Sequence, residues 1–454
     1  MGPDAPIRAT PHPTRGGANL TEHTKATIPL GGVDDASLSK LSRGLVGSEV
    51  LRIAAEVRTL LAAGAPVCNL TVGDFDAREF PPPERLLSGI QRALEAGHTN
   101  YPPSNGVLEL RQAIVRFYHR EFGLDFPLES VLVAGGARPL IYATYRALVD
   151  PGEAVAYPVP SWNNNHYCYL AGARGIPIEV TRESRFHPTP AQVRALLPRI
   201  RLLALNSPLN PTGTAIEPAV LAEIARDLVE ENRRRHREGE RPVFLMYDQV
   251  YWSLEFGRME PVTPLAGVPE VAPYTVMLDA ISKSLAATGL RVGWSVAAPA
   301  VTRRMSDLLG HVGAWAPKAE QVATAEFLDD AEDFRTFRLQ MHRRLRERLE
   351  LLYRGLTGLG ERGLPVEAVA PEGTLYLSVR FDLFGRCVDG REIRTNEDVR
   401  RLLLEGAGVA AVPFQAFGLE REDGWFRLSV GAVSIQAIED GMARLTRLLE
   451  RAVS

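Results

Sequence analysis

Lysine is rare in this chain. Of the 52 basic residues, four are lysines and the other 48 are arginines. The four lysines are Lys25, Lys40, Lys283 and Lys318. A lysine amine can lose its proton and attack a carbonyl carbon, whereas an arginine guanidinium stays protonated. Because Lys283 lies in the mostly apolar, glycine-containing stretch DAISKSLAATGLRVGW, the scarcity of lysine elsewhere indicates a chemical role for its amine.

Cysteine is also scarce, and its spacing argues against one class of site. The three cysteines, Cys68, Cys168 and Cys387, are far apart and lack the short spacings of metal ligands, so we expect no metal site. Few, widely separated cysteines are typical of proteins from a reducing compartment. We therefore expect a cytoplasmic protein whose cysteines pack in its cores.

The chain has no strong charge excess and no long apolar run. Its formal net charge is −3, which gives no electrostatic reason to expect nucleic acid or an anionic membrane as a partner. No stretch reaches the roughly 18 consecutive apolar residues of a membrane-spanning helix. Residues 1–42 contain Pro, Gly and both charge signs without the apolar region of a secretory signal. They are predicted to be a flexible extension, with an arm that packs on a partner subunit as the alternative.

Short apolar strands alternate with helical patterns through the middle of the chain. The stretch SVLVAGGARPLIYATYRAL, for example, is typical of a strand, a glycine turn and a helix. Such alternation predicts an α/β fold with a mostly parallel central sheet sandwiched by helices. With 454 residues the chain is long for one core. We expect a large domain over residues 81–320 and a small α+β domain formed by 43–80 and 321–454, with a long connecting helix.

Polar residues that could do chemistry follow the predicted strands. They are Gly135, Gly136 and Ala137; Ser161, Trp162 and Asn163; Asn206 and Asn210; Asp248 and Tyr251; and Lys283 with Arg291. Each has an ordinary explanation when it is considered alone, since a strand-end Asp caps a helix, NPTG forms a turn and a Trp packs in a core. In an open α/β sheet, however, ligands bind at the carboxyl ends of the strands, where these residues would meet.

One cofactor, pyridoxal 5′-phosphate (PLP), accounts for the whole set. An amine forms a Schiff base with its aldehyde, and a carboxylate stabilises its protonated pyridine nitrogen. An Asn amide and a Tyr hydroxyl can donate to its phenolate oxygen, and a Trp can stack on its ring. Backbone N–H groups at a helix start, together with an arginine, can hold its phosphate.

Four motifs carry a resemblance to a known family. In combination, NSPLNPTGT, YDQVY, SKSLAATGLRVGW and FRLSVG are similar to those of the class I/II aminotransferases of fold type I, the aspartate aminotransferase superfamily. The resemblance extends from about Leu45 to Leu449. It implies a PLP-dependent transferase with a large and a small domain, acting as a homodimer whose subunits share active sites.

The resemblance also implies a role for each matching residue around the cofactor ring. Lys283 would form the Schiff base and shuttle the substrate proton, and Asp248 would meet the pyridine nitrogen. Tyr251 and Asn210 would meet the phenolate oxygen, with Trp162 stacked on the ring.

Further residues are implied at the phosphate and at the substrate. Gly136, Ala137 and Arg291 would hold the phosphate, and Tyr101 would reach it from the neighbouring subunit. Four residues would contact the substrate: Gly73, Trp162, Asn210 and Arg427. Among them, the Arg427 guanidinium would bind the substrate α-carboxylate.

Two positions depart from the family pattern. Many relatives have Ser three residues before the lysine and Ser or Thr in the glycine turn, both donating to the phosphate, whereas this chain has Ala280 and Ala137. The next residue, Arg138, has three possible roles. It could replace the missing phosphate donors, bind the distal acid group of a substrate, or be a surface charge.

These observations predict an aminotransferase that moves the amino group of an L-amino acid to a 2-oxo acid such as 2-oxoglutarate by a ping-pong mechanism. Trp162 and Arg138 favour an aspartate-like donor, whereas Tyr142, Trp315 and Phe414 could line a pocket for an aromatic one. One alternative is a PLP-dependent lyase or synthase, of the C–S lyase or cyclase type, on the same fold. A more remote one is a non-catalytic PLP-sensing regulator, but no helix-turn-helix fits the extension.

Overall fold

The structure, a computed structural model, describes residues 30–257 and 261–453. Its α-helices are α1 Lys40–Arg43, α2 Glu49–Ala62, α3 Glu84–Glu95, α4 Leu108–Phe122, α5 Ala137–Leu148, α6 Asn164–Ala171, α7 Pro190–Leu196, α8 Pro218–Arg237, α9 Pro264–Gly267, α10 Ile281–Ser284, α11 Pro299–Val312, α12 Lys318–Asp329, α13 Ala331–Glu361, α14 Asn396–Ala407 and α15 Ile435–Val453. Its β-strands are β1 Cys68–Asn69, β2 Val131–Ala134, β3 Ala154–Val159, β4 Arg174–Glu179, β5 Leu202–Asn206, β6 Phe244–Asp248, β7 Thr275–Ala280, β8 Gly293–Val296, β9 Val366–Ala368, β10 Tyr376–Phe381, β11 Cys387–Val388, β12 Arg391–Glu392, β13 Val409–Ala410, β14 Val412–Pro413 and β15 Trp425–Ser429.

The predicted extension over residues 1–42 lies mostly outside the described residues. Residues 30–44, which contain α1, belong to a unit separate from the one that begins at Leu45. In that short helix the Ser39 hydroxyl accepts from the Ser42 N–H and caps the first turn.

Seven strands form the central sheet, in the order β2-β8-β7-β6-β5-β3-β4. Six of them point the same way, and β8 runs antiparallel to both of its neighbours. Strands β2, β3 and β7 are buried along their whole length, as expected for apolar strands covered on both faces by helices. The predicted α/β fold with a mostly parallel central sheet is confirmed.

The register of the sheet brings the ends of three neighbouring strands together. Asn206, the last residue of β5, pairs with Asp248, the last residue of β6. Asp248 in turn pairs with Leu278 near the end of β7, and Lys283 follows in α10. Three predicted functional segments therefore lie side by side at the carboxyl edge of the sheet, where open α/β folds bind ligands.

Strand β8 brings a residue far along the chain back to the glycine turn. It pairs with β7 on one side and β2 on the other, so that Gly293 lies opposite both Ala280 and Ala134. A Cβ atom on Gly293 would lie 2.6 Å from the carbonyl carbon of Gly136, so the approach requires glycine. Arg291, two residues earlier, is thereby held against the glycine turn.

A second hydrophobic core surrounds an antiparallel sheet of four strands, in the order β14-β15-β10-β9. Leucines of α13, such as Leu345 and Leu349, and of α15, such as Leu448, are fully buried in it. Strand β1 pairs in parallel with β13, so an early segment of the chain also joins this core. The division of the chain at residues 80 and 320 stays a prediction.

The cysteines follow the expectation only in part. All three are free, and Cys68 and Cys168 are buried, but Cys387 is exposed. The expectation that Cys387 packs in a core is wrong because successive side chains of a strand point to opposite faces, and in β11 its neighbour Val388 takes the buried face. No described helix is both long enough and apolar enough to cross a membrane.

Candidate active site

The predicted residues meet around one cavity of about 470 Å³. Nine of them line it: Gly73, Ala137, Trp162, Asn210, Asp248, Tyr251, Lys283, Arg291 and Arg427. Gly136 is buried directly beneath the Arg291 guanidinium. Asn206, which the sequence also singled out, lines the cavity as well. So do residues to which the sequence assigned no role, among them Thr71, Asp74, Ser282, Thr288 and Tyr376. Both the central sheet and the antiparallel sheet therefore contribute to one site.

Lys283 enters the cavity from α10, directly after β7. Its Nζ donates to the backbone oxygen of Gly73 at 2.5 Å and lies 5.8 Å from the centre of the Phe75 ring. Burial lowers the pKa of the amine to about 8, with Asp74 opposing the shift and nearby arginines, Arg427 foremost, adding to it. More neutral amine is therefore present near neutral pH than for an exposed lysine, as attack on a carbonyl requires.

Asp248 ends β6 with its carboxylate at the cavity. Burial raises the pKa of this carboxyl to about 6, and the Val250 N–H, 3.2 Å from Oδ1, opposes the shift. Asn206 at the end of β5 donates from Nδ2 to the Asp248 backbone oxygen at 2.8 Å, which ties the two strand ends together. No cation of the described residues is among the causes of the shift, so the carboxylate is available to a cationic group of a ligand.

A second buried carboxyl lies behind the turn that leads to Lys283. Asp279 Oδ1 accepts from the Ala280 N–H at 2.7 Å, and Oδ2 accepts from Trp252 Nε1 at 2.8 Å. Burial raises the pKa of Asp279 to about 8. Because Trp252 follows Tyr251 directly, these bonds join the segment that carries Tyr251 to the segment that carries the lysine.

Arg291 and the start of α5 meet at one corner of the cavity. The Arg291 Nη2 donates to the Gly135 oxygen at 2.9 Å, and Nη1 donates to the Thr288 oxygen at 2.6 Å. Gly136 caps α5 at a φ of +91°, and a Cβ atom there would collide with Nη2 of Arg291. The unpaired N–H groups of a helix start carry partial positive charge, so this corner suits a phosphate.

Hydroxyl groups are present at this corner despite the two departures from the family pattern. Ala137 and Ala280 line the cavity, but so do Ser282 and Thr288. The Thr288 hydroxyl donates to Asp74 Oδ1 at 2.5 Å. Ser282, two residues after Ala280 and next to Lys283 in α10, therefore offers a hydroxyl at the cavity.

Trp162 and Arg138 form another wall of the cavity. The Arg138 guanidinium carbon lies 5.2 Å from the centre of the Trp162 ring, and Phe417 packs 6.2 Å from that ring on another side. Arg138 is exposed, and its charge lowers the pKa of Lys283. A cation held on an aromatic face at the edge of a cavity suits an acid group of a ligand.

Arg427 lies inside the protein on β15, with 1% of its surface exposed. Its Nη1 donates to Asn210 Oδ1 at 3.1 Å, and its Nη2 donates to the Thr71 oxygen at 2.6 Å. Within the described ranges, Nε has no hydrogen-bond partner and no carboxylate pairs with the guanidinium. Burial lowers the pKa of Arg427, yet an arginine keeps its charge. A buried cation without a counter-ion is costly, so this side chain suits an anion that enters the cavity.

Sequence reasoning missed Tyr376. Its hydroxyl lies 2.9 Å from the hydroxyl of Tyr251, and the Arg427 guanidinium carbon lies 4.6 Å from the centre of its ring. The stretch GTLYLSVRFDLF, in which Tyr376 lies, indicated only a strand. Nothing in that pattern shows which of its side chains faces the cavity.

Four other predicted residues lie away from the cavity. Tyr101 is 82% exposed, with its ring edge against Trp315. Phe414 is fully buried and stacked on Trp425. Tyr142 and Trp315 are absent from the described cavity lining. The three residues named for an aromatic pocket, Tyr142, Trp315 and Phe414, therefore do not line the described cavity.

The fold and the site define a fold type I, PLP-dependent enzyme of the α/β class. The sequence profile of the family described as "Aminotransferase class I and II" matches residues 65–445. The chain belongs to this family, and it is an aminotransferase.

The chain is similar to proteins named aspartate aminotransferase or aspartate/prephenate aminotransferase. The chain is 32% identical over 420 residues to the aspartate/prephenate aminotransferase of Thermus thermophilus and 30% identical over 419 residues to the aspartate aminotransferase of Geobacillus stearothermophilus. Each match covers 91% of this chain and 99% of the relative. The crystal structure of the Rhizobium meliloti aspartate aminotransferase superposes with a TM-score of 0.82 at 27% identity, again over 91% of this chain and 99% of that one.

Proposed function

We propose that this protein transfers the amino group of a dicarboxylic L-amino acid to a 2-oxo acid such as 2-oxoglutarate, with PLP as cofactor, in a ping-pong sequence. One observation supports this best, namely the meeting of Lys283, Asp248 and Arg427 around one cavity. The cavity joins an amine of lowered pKa, a carboxylate without a described cation, and a buried guanidinium without a described carboxylate. These groups complement an aldehyde, a pyridine nitrogen and the α-carboxylate of an amino acid.

The cavity fits PLP group by group. Two observations support anionic groups at two separate places, as a cofactor phosphate and a substrate carboxylate require. They are the unpaired Nε of Arg427 and the space that Gly136 leaves for Arg291. The residues that would hold the cofactor are Gly136, Ala137, Trp162, Asn210, Asp248, Tyr251, Lys283 and Arg291, with Tyr101 contributed by a second copy.

The reaction then depends on how the protein places one proton. When bound, PLP supplies an aldehyde for the amine and an electron-withdrawing ring for the electrons of the substrate Cα–H bond. Arg427 would hold the α-carboxylate in a two-pronged contact, which orients Cα toward Nζ of Lys283. That amine, once neutral, takes the Cα proton as general base, and burial has already lowered its pKa toward the working pH.

Arg138 supports a dicarboxylic substrate. With Arg427 occupied by the α-carboxylate, Arg138 is a second cation at the cavity for the distal acid group. A solved structure of the Thermus thermophilus aspartate aminotransferase, which superposes at a TM-score of 0.80 and 29% identity, is a complex with maleate. Maleate carries two carboxylates, as a dicarboxylic substrate does.

The reaction is tested by absorbance. PLP is added to the purified protein until its visible absorbance band stops growing. Single L-amino acids are then added without a 2-oxo acid acceptor. We expect aspartate or glutamate to remove the band and release one equivalent of 2-oxo acid, and 2-oxoglutarate to restore it. Release of ammonia with pyruvate, and no recovery with 2-oxoglutarate, would instead establish the lyase alternative.

The choice of substrate is tested by a matched pair on α5. Arg138→Gln should raise the KM for aspartate and for 2-oxoglutarate by roughly tenfold or more, the loss of one charge-assisted hydrogen bond, and should spare neutral amino acids. Arg146→Gln is the control, because Arg146 donates to the Ala171 oxygen outside the cavity. A rise in the PLP dissociation constant, with unchanged KM values, would assign Arg138 to the phosphate instead.

We further propose a homodimer with shared active sites in the cytoplasm. The exposed Tyr101 ring supports contact with a second copy, and three free cysteines suit a reducing compartment. Light scattering should give a dimeric mass. Mixing inactive Lys283→Ala chains with inactive Tyr101→Ala chains should restore part of the activity, because one site of each hybrid is intact.

A further inference from the structure

Tyr376 occupies a place between the cofactor side and the substrate side of the cavity. It is 1% exposed on β10, with its hydroxyl 2.9 Å from the Tyr251 hydroxyl. The guanidinium carbon of Arg427 lies over its ring at 4.6 Å from the centre. The same side chain therefore contacts one residue assigned to the cofactor and one assigned to the substrate.

Two glycines of the site leave room for this tyrosine. A Cβ atom on Gly73 would lie 2.8 Å from the Tyr376 hydroxyl, and one on Gly213 would collide with the Tyr376 backbone oxygen. Gly213 also has a φ of +74°, which disfavours any other residue. Thr374 Oγ1 accepts from the Tyr376 N–H at 3.0 Å and fixes the backbone from the other direction. Segments from three parts of the chain thus converge on Tyr376.

The hydrogen bond between the two hydroxyls has a chemical consequence. Burial raises the pKa of Tyr376 and, even more strongly, that of Tyr251, so both keep their protons. A hydroxyl that accepts a hydrogen bond becomes a stronger donor through its own proton. When Tyr251 donates into the cavity, the proton of Tyr376 is free to donate to the Tyr251 oxygen and strengthen that bond.

We propose that Tyr376 is a positioning residue that fixes the Tyr251 hydroxyl through its own hydroxyl and fixes the Arg427 guanidinium through its ring. The inference rests on the proposed function for the roles of Tyr251 and Arg427. One side chain thereby positions both the Tyr251 hydroxyl, which would bond to the cofactor, and the Arg427 guanidinium, which would bind the substrate carboxylate.

The role of the Tyr376 hydroxyl is tested by a pH titration of the PLP-loaded protein, followed by absorbance. Tyr376→Phe keeps the ring and removes the hydroxyl, so the midpoint of the visible colour change should move to higher pH by roughly half a unit to one unit. Tyr251→Phe should move it further. Adding Tyr376→Phe to Tyr251→Phe should then change nothing, since the group through which it acts is gone. An equal shift from Tyr376→Phe in both backgrounds would overturn the proposal.

The role of the Tyr376 ring is tested by the KM for the amino-acid substrate. Tyr376→Leu should raise the KM for the amino acid by roughly threefold to thirtyfold, the range from an exposed to a desolvated cation–aromatic contact, whereas Tyr376→Phe should leave it within about twofold. Phe381→Leu controls for lost packing, because Phe381 lies on the same strand against Phe426 and outside the cavity. A KM increase in Phe381→Leu as large as that in Tyr376→Leu would overturn the stacking role.

The two proposals fail in different ways. A wild-type protein that changes colour with pH after PLP is added but transfers no amino group contradicts the proposed function alone, because the midpoint comparison needs no turnover. A wild-type protein that transaminates, with midpoints identical in wild type and Tyr376→Phe, contradicts the role of Tyr376 alone. A protein that takes up no PLP contradicts both.

Discussion

The two walls of the cavity are built in different ways. The wall assigned to the cofactor takes Asp248 and Lys283 from the ends of adjacent parallel strands, at or just after the last residue. The wall assigned to the substrate takes Arg427 from the middle of β15 and Tyr376 from the start of β10, two antiparallel strands. The residues of the first wall lie in motifs of strand-end turns, and the motif FRLSVG indicated Arg427 on the second. Tyr376 lies in a stretch that indicated only a strand, and its place at the cavity depends on packing. Local chemistry thus indicates the first wall, and packing completes the second.

The two walls also differ in whether their cationic side chains have carboxylates nearby. Lys283 is half-buried and has Asp74 and Asp248 around the same cavity. Arg427 is enclosed without a carboxylate from any described residue. Another buried guanidinium, Arg400 at 3% exposure, lies between Glu397 and Glu56. A buried guanidinium is ordinarily paired with a carboxylate, so Arg427, which has no carboxylate partner among the described residues, suits an anionic ligand.

The largest expected effect is at the lysine. Lys283→Ala and Lys283→Arg should each lower kcat by more than about 10⁴-fold, since neither offers a neutral amine for the aldehyde or for the Cα proton. PLP should still bind through its phosphate contacts, as absorbance would show. Lys318→Arg, at a lysine bonded to Asn100, is the control and should remain active. Appreciable transamination by Lys283→Ala would count against the assignment.

The next largest effect separates the two buried arginines. Arg427→Ala should reduce kcat/KM for amino acids by about 10²- to 10⁴-fold, corresponding to the roughly 3–5 kcal/mol lost when one partner of a buried ion pair is removed. Arg400→Ala should lower the melting temperature but leave kcat/KM of the folded fraction unchanged. Equal losses of kcat/KM in the two variants would mean that Arg427 is a structural residue like Arg400.

A smaller effect is expected at the phosphate corner. Gly136 and Gly152 have φ values of +91° and +89°, but a Cβ atom meets Arg291 only at Gly136. Both Ala variants should lose about 1–2 kcal/mol of stability from the left-handed backbone. Only Gly136→Ala should also raise the dissociation constant for PLP, by roughly tenfold, which fluorescence titration can measure. Similar PLP affinity in the two variants would mean that the cofactor phosphate does not bind at this corner.

The smallest effect concerns the pKa of the lysine. PLP uptake by the apoprotein should accelerate as the pH rises through about 8, because the amine attacks only after it has lost its proton. Asp74→Asn keeps an acceptor for Thr288 but removes a charge that raises this pKa. The midpoint should therefore move to lower pH in stopped-flow measurements. A midpoint that rises in Asp74→Asn would contradict the electrostatic role of Asp74.

Much of the central sheet could be predicted because its strands are apolar along their whole length and end in turn residues. Strand β8 was not predicted, since its four residues GWSV are too few to show a pattern. It is nevertheless β8 that carries the chain back beside β2 and places Arg291 on Gly136. The aromatic residues Tyr142, Trp315 and Phe414 were candidates for the cavity lining but do not line it. Side-chain type alone does not distinguish a residue that lines a cavity from one that packs elsewhere.

The sequence by itself determined the chemistry of this protein: a lysine where arginine is the rule, a carboxylate and an amide at strand ends, and an arginine eight residues after the lysine. These follow from residue types and short spacings, which are local properties of the chain. The tertiary structure alone decided that Arg427 has no described carboxylate partner, that Tyr376 lies between it and Tyr251, and that the lysine amine loses its proton near pH 8. Burial, pairing and proton affinity depend on segments hundreds of residues apart, and only folding brings those segments within a few ångströms of one another.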